Sequence, residues 1–558
     1  MLRIKLTFLL LTLNSSCLLS SNSETESYIQ KIEEENNISY EKIINTRGAY
    51  ITSMCYTKTK DRFTNKVFNP CYSCHTKGKI PNYYNDTNLQ EEYNFPILVK
   101  KNPFINLFKD RTAQVVLMGD KFILDYVRSS NYFTATRDIF LSQTLPQRWK
   151  GYRPDCYFNF DEEGFDKDKH GTYTGWRAFR YYPFLGTFWP TNGSTDDVLI
   201  RLDTPFRQNK DHVFDKEVYK LNLSIAEALV KQKVIALEQG VDERLYGVDI
   251  NANGREDRTF TVSPKISSYV GLAKRYLSEK KVHLAAGLFP ENTEFLHSVR
   301  YLDWDDKKDQ IALSVRMKEL RYAKKTNWKS YAEIQRAAQS ELWESQARDS
   351  AKAQISFFRG NYEEGLRNEI GWVYQGFIED KKGELRPQTH EETISCMGCH
   401  SHLGATTDST FAFARKFEGI DKDKKEYGWN HWSQKGLKGI KEPRVAYQDH
   451  GIQYEYSFYL HNNHSGNEFR NNDEVQGKFF DDNGSVKEEL IDTLHDDVTI
   501  LLFPSKERAL ELNKAYKVIV EKQNYIYGRD ANVKAMENVY KEVREGSTTG
   551  IKKPIVRP

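Results

Sequence analysis

A mixed α+β fold is predicted by three observations. Two cysteine–histidine pentapeptides lie in turn-rich, helix-prone segments on either side of a centre whose short apolar runs read as strands. The C-terminal stretch carries helical periodicity. The expected architecture is therefore helical motif segments flanking a β-rich central region, with a helical C-terminus. At 558 residues the chain exceeds the usual ~100–200 residues of one domain. With 39% hydrophobic and 28% charged residues, it fits neither a disordered chain nor a polytopic membrane protein. With a net charge of +3, the chain gives no reason to expect a nucleic-acid footprint, which normally needs a basic face.

In chain order, residues 1–20 read as an export signal. Arg3 and Lys5 precede the apolar run Leu6–Leu13, and Asn14, Ser15 and Ser16 end it well short of a ~20-residue span. Cys17 follows two small residues and could carry a lipid anchor, although Asn14 stands where such signals carry Leu. The implied compartment is the periplasm. Residues 24–130 form the first motif segment, and Asn69-Pro70 before the motif with Lys77-Gly78 after it predict a short helical turn. Residues 131–325 form the β-rich centre, with strands expected at 198–202, 258–263 and 309–316. Within it, Ser224 with Glu227 reads as a capping box opening a helix that runs through Leu237 and stops at Gly240.

Residues 326–420 combine a long helix with the second motif segment. The stretch 326–359 has no Gly or Pro and keeps Trp328, Tyr331, Ile334, Ala338 and Leu342 in helical spacing. Residues 421–558 are mixed, then helical. One helix is expected after Pro504-Ser505, with Ala509, Leu512, Tyr516 and Ile519 on one face, and another from Asp530, with Val533, Met536, Tyr540 and Val543.

Four of the seven cysteines fall in two copies of one pattern, Cys71-Tyr-Ser-Cys74-His75 and Cys396-Met-Gly-Cys399-His400. C-x-x-C-H is the attachment site of c-type haem: two thiols add to the vinyl groups, and the adjacent imidazole binds the iron axially. A four-thiolate zinc site is the competing chemistry, but it leaves the two histidines unexplained. On these pentapeptides and the leader, the chain resembles the di-haem c-type cytochromes. Di-haem peroxidases and rubber oxygenases also carry two such sites. The resemblance implies two haem c groups bonded to Cys71, Cys74, Cys396 and Cys399, with His75 and His400 as axial ligands of the iron.

Cys55 and Cys156 remain, and two spare thiols in an oxidising space are most simply a disulfide, with two buried thiols as the alternative. Second axial ligands could come from Met54 or Met118, or from His283, His297, His431, His450, His461 or His464; His402 is too near His400 to reach round. Asp249, Asn251, Asn253 and Gly254 match the start of a calcium loop, but Phe260 stands where an EF-hand places Glu, which favours an Asx-rich turn. The aromatic run Tyr173–Pro190 reads as buried β core, or as the wall of a cofactor cleft. The function expected is electron transfer through two haems to a redox partner protein or a small-molecule donor or acceptor. The alternative is a di-haem oxidoreductase of peroxidase or oxygenase type with one open distal site. No catalytic residue is identified.

Overall fold

The computed structural model describes residues 23–38, 51–61, 65–95, 99–346, 358–401, 406–417, 428–463 and 471–557. The fold is mixed α+β. Its frame is a ten-stranded antiparallel sheet. The strands are β1 (Phe165–Lys167), β2 (Tyr173–Phe179), β3 (Thr195–Asp196) and β4 (Val198–Arg201). Next come β5 (Ile235–Asp242) and β6 (Arg258–Val262), which pair apart from the main sheet. Then follow β7 (Glu294–Asp305), β8 (Gln310–Lys325), β9 (Arg359–Asn361), β10 (Gly365–Arg367), β11 (Trp372–Glu379) and β12 (Leu385–Pro387). The spatial order is β1-β2-β4-β7-β8-β11-β10-β9, with β3 beside β7 and β12 beside β11.

The β7–β8 hairpin is the spine, pairing from Glu294↔Lys324 to Asp305↔Gln310. Strand geometry sends alternate side chains to opposite faces. On one face Leu296, Leu320 and Phe377 join Leu199, Trp176 and Tyr132 in a closed apolar core. Each of those leucines and Phe377 is fully buried, which stabilises the fold by about 1.5–3 kcal/mol per side chain. The other face carries Glu319, Arg321 and Lys325 on β8 and Tyr374 on β11. His297 on β7 stands directly opposite Arg321. The same face also holds Phe295, Ala323 and Trp372 of a large apolar cluster, and its charged side chains enter as paired groups, Lys325 with Asp408 and Arg321 with Glu319.

Three sequence expectations need correction. The central helix is Lys216–Lys231, capped by Asp215, whose carboxylate accepts from the Glu217 and Val218 N–H groups at 3.0 Å. Ser224 and Glu227 lie inside it. Gln232 ends it in the left-handed conformation, and residues 235–242 pair with β6 instead of continuing the helix. The long helix is confined to Tyr331–Gln346. It opens at Ser330, whose N–H donates to Glu333 at 2.8 Å, and the chain is extended again at Arg359. Residues 347–357 lie outside the described set.

The C-terminal helix Lys506–Lys522 begins at its Ser505 cap and buries Ala509, Leu512, Tyr516 and Ile519 as expected. The helix expected from Asp530 is absent. The chain there is an extended strap that forms single bridges Val539↔Thr57, Glu542↔Lys101 and Thr548↔Glu92. Its backbone N–H groups go to the first segment rather than to a helix of its own: Met536 donates to Leu107, Tyr540 to Tyr56 and Val543 to Lys100, at 2.8–2.9 Å. Met536, Val539 and Val543 then share one apolar cluster with Ile51, Tyr56, Tyr93, Val99 and Leu107.

Gln90, fully buried, fastens strap to motif. Its Nε2 donates to the His75 carbonyl at 2.6 Å and the Ile555 carbonyl at 2.8 Å, and its Oε1 accepts from Asn69 and from the Ile555 N–H at 2.9 Å. Gln90→Ala would strand these buried groups. It is expected to lower unfolding stability by about 1–3 kcal/mol in a denaturant titration, and an unchanged midpoint would show that the clamp contributes nothing.

Candidate functional site

The first motif follows Pro70 as the expected short turn, a 3₁₀ element at Cys71–Ser73 with the His75 N–H donating to the Cys71 carbonyl at 2.9 Å. Tyr72 points inward and is fully buried against Tyr447, Phe458 and Tyr459. The two thiols and the imidazole are left only partly covered. His75 Nδ1 lies 3.0 Å from Asp86 Oδ2.

The second motif is aimed by the sheet. From β12, Arg386 makes a two-pronged ion pair with Glu392 at 2.8 Å, and Thr389 with Glu392 forms a true capping box on the helix His390–Thr393. That helix runs through Cys396 into the helical turn Met397–His400. A side chain at Gly398 has no room, because a Cβ there would come within 2.9 Å of the Thr52 methyl group. His400 Nδ1 lies 2.7 Å from the Ser409 carbonyl. A carbonyl can only accept, so Nδ1 carries the proton and Nε2 presents its lone pair. The ring stacks on Tyr374 at 4.7 Å and meets Phe411 edge-on at 5.8 Å.

Ser409 is held from below. Asp408 and Ser409 both adopt left-handed backbone conformations. The Asp408 carboxylate accepts from the Phe289 N–H at 2.8 Å and pairs with Lys325 Nζ of β8 at 2.5 Å, with both side chains fully buried. Burial pushes Asp408 up and Lys325 down, and each partner's charge opposes the shift.

Tertiary structure brings the two motifs together. Residues 52–55 lie between them: Thr52 touches Gly398, and Cys55 lies beside His75. Burial pushes the Cys399 thiol well above its ordinary value, and the nearby Cys74 and Cys55 thiols add to the shift. Cys74 is pushed up to about 12 by burial, with Cys55 adding. Yet the Cys399 side chain is accessible. The two histidines differ. Burial works to lower His75, but Asp86 and Cys55 outweigh it and raise it to about 10. Burial lowers His400 to about 4, aided by Arg321 and His297.

Of the proposed second ligands, the structure carries Met54 and His297 to this neighbourhood. Met54 flanks Cys55, and its sulfur lies 3.0 Å from where a Cβ on Gly186 would stand. His297 is close to His400, but its Nδ1 meets the Asp197 carbonyl and its Nε2 lies 3.1 Å from Asp196. His431 is likewise engaged at both nitrogens, by Ser433 at 2.7 Å and Asp197 at 2.9 Å, and His461 by the Ser457 carbonyl and Glu488. His283 stacks on Trp328, His450 packs against Phe458, and Met118 belongs to the apolar group beneath the C-terminal helix. Cys17, His402 and His464 lie outside the described residues.

The expected Cys55–Cys156 disulfide is not formed. Both thiols are free, Cys55 beside His75 and Cys156 sealed in the core on the far face of the sheet. The 249–254 loop is closed on itself: Asp249 accepts from the Asn253 and Gly254 N–H groups, Asn251 from Asn253, and Asn253 from Arg255. The aromatic run is both core and wall. Trp176 is fully buried, whereas Phe184 packs on Phe411 at 4.6 Å, which in turn meets His400. Sequence reasoning missed Asp86, Ser409, Arg321 and the Lys325–Asp408 pair.

Residues 42–497 match the model of a lipoprotein family, described as "-like lipoprotein". An "Uncharacterized lipoprotein" of Aquifex aeolicus (strain VF5) is 31% identical over 559 aligned positions, covering 89% of each chain. The chain belongs to this lipoprotein family. No solved structure matches it. The resemblance to di-haem c-type cytochromes is therefore corrected, because it rested on the leader and two pentapeptides whereas the family match spans most of the chain. Among the described residues no group of three or more His, Cys, Asp or Glu side chains is arranged to hold a metal ion. Membership of a lipoprotein family agrees with the export signal read at the N-terminus. No described helix is long and apolar enough to cross a membrane.

Asp408→Ala would leave Lys325 charged and unpaired in the core, and a loss of about 3–5 kcal/mol is expected in urea unfolding. The double variant Asp408→Ala/Lys325→Met should recover part of that loss, and equal losses in both would show that the ion pair is not the cause.

Proposed function

We propose that this lipoprotein works in the periplasm as an electron-transfer protein, anchored by a lipid on Cys17 and carrying two covalently attached haem groups at Cys71/Cys74 and Cys396/Cys399. The observation that carries the reading is the meeting of two C-x-x-C-H motifs across the 52–55 segment, with the Nδ1 of each histidine engaged by an oxygen acceptor. The donor set fits the group: partly or fully accessible thiols for thioether bonds, an imidazole beside each pair, and aromatic walls at Tyr374, Phe411 and Phe184. A bound haem supplies a one-electron iron couple. The residues of the chain do the rest. Asp86 and the Ser409 carbonyl orient the imidazoles and hold a proton at Nδ1. The 52–55 segment keeps the two motifs adjacent, which shortens the path between the two centres. Arg321 and His297 face the second motif from the sheet.

A second reading, an oxidoreductase with an open sixth position at one iron, is favoured by one observation. His297, the histidine placed beside the second motif, has both ring nitrogens bonded elsewhere.

Full-length protein matured in a host that exports it and attaches c-type haem should gain the mass of two haems. The Cys71→Ser/Cys74→Ser and Cys396→Ser/Cys399→Ser variants should each gain one. Unmodified mass in the wild type, with no visible absorption, would overturn the proposal. Low-temperature EPR of the oxidised protein then separates the readings: two low-spin signals for the carrier, a stoichiometric high-spin signal for the oxidoreductase.

A further inference from the structure

The two motifs look alike in sequence, but the structure gives their histidines different partners. His75 Nδ1 is bonded to a carboxylate whose other oxygen, Asp86 Oδ1, is buried and has no hydrogen-bond partner. The negative charge of Asp86 is therefore directed at His75 without dilution by other donors. His400 Nδ1 is bonded to a neutral peptide carbonyl, and Ser409 shares that carbonyl with the Tyr374 hydroxyl, which donates to it at 2.9 Å. The surroundings differ in the same sense. Cys55 lies beside His75 on the first side. On the second, Arg321 and Arg529 approach Cys396 and share the single carboxylate of Glu319. A positive group, Arg557, also approaches Cys74, but it is paired with Glu455 at 3.0 Å.

An axial imidazole hydrogen-bonded to a carboxylate takes on anionic character and becomes a stronger donor to iron, which favours the ferric state. A carbonyl already shared with a second donor pulls less on its histidine. Unbalanced positive charge near the other centre favours the ferrous state. From this asymmetry we infer that Asp86 is a positioning and tuning residue that holds the first haem at a lower reduction potential than the second, so that the chain conducts from the Cys71/Cys74 centre toward the Cys396/Cys399 centre. The inference rests on the haem reading above.

The test is a potentiometric titration, followed by visible absorption, of full-length protein whose content of two haems has first been confirmed by intact mass. Failure of that mass measurement defeats the haem reading itself. With two haems present, two one-electron steps are expected. The Cys71→Ser/Cys74→Ser variant should keep only the upper step. Asp86→Asn, which retains shape but removes charge, should raise the lower step by about tenfold in its equilibrium constant, ~59 mV for one electron, and leave the upper step in place. Tyr374→Phe returns the whole Ser409 carbonyl to His400 and should lower the upper step alone. It serves as the independent arm if the Asn variant attaches only one haem. Asp86→Asn moving neither step, or both equally, would overturn the inference, as would survival of the lower step without the first motif.

Discussion

A buried ion pair joins the longest strand of the sheet to the turn that aims the second histidine. Lys325 closes β8, and Asp408 opens the left-handed turn whose next residue offers its carbonyl to His400. Placing two charges in a dry core is costly, and the cost is offset only if both are paired at hydrogen-bond distance and satisfied by neighbours. The Phe289 N–H donates to the same carboxylate oxygen that meets Lys325, which fixes that oxygen from two sides. Because the pair tolerates little displacement, the turn, Ser409 and the His400 ring inherit the position of the sheet. Tyr374 stacks on the same ring from β11 and donates to the same carbonyl, so the second motif is referenced to two adjacent strands at once.

The first motif is held by different means. No strand runs beneath it. A short turn is enclosed by the C-terminal strap and by Gln90, which bonds the motif and the strap together. The contacts join residues near 56, 90 and 100 to residues near 540 and 555, so this site closes only after the last part of the chain has been made. Such long-range closure carries a loop-entropy cost that local helix formation avoids. Extended pairing nevertheless prevails at 530–543, because it lets Met536, Val539 and Val543 enter an apolar cluster that an isolated helix could not reach.

Much of the fold class was legible. The Ser505 cap with the apolar face behind it, the strand at Val198 and the turn after Pro70 all depend on residues close in sequence. The misreadings share a cause. Ser224-x-x-Glu227 has the letters of a capping box, but Glu227 sits mid-helix because it pairs with Lys231 and Lys416, the latter contributed by a distant segment. The apolar spacing after Asp530 suits a helix equally well, and the competition was decided by backbone partners at residues 56, 100 and 107. Cys55 and Cys156 were paired by elimination, whereas the sheet separates them.

The sequence by itself determined the chemistry available at the site. Two thiols and an imidazole at fixed local spacing are a covalent fact that no folding can alter. It also determined the export signal and the balance of helix and strand. The tertiary structure decided everything that needs two distant segments to meet: that the motifs come together, that one histidine faces a carboxylate and the other a carbonyl, and that Lys325 of β8 is paired with Asp408 in the core. Those outcomes depend on which groups exclude water from which others, a property of the packed chain as a whole and of no single stretch of it.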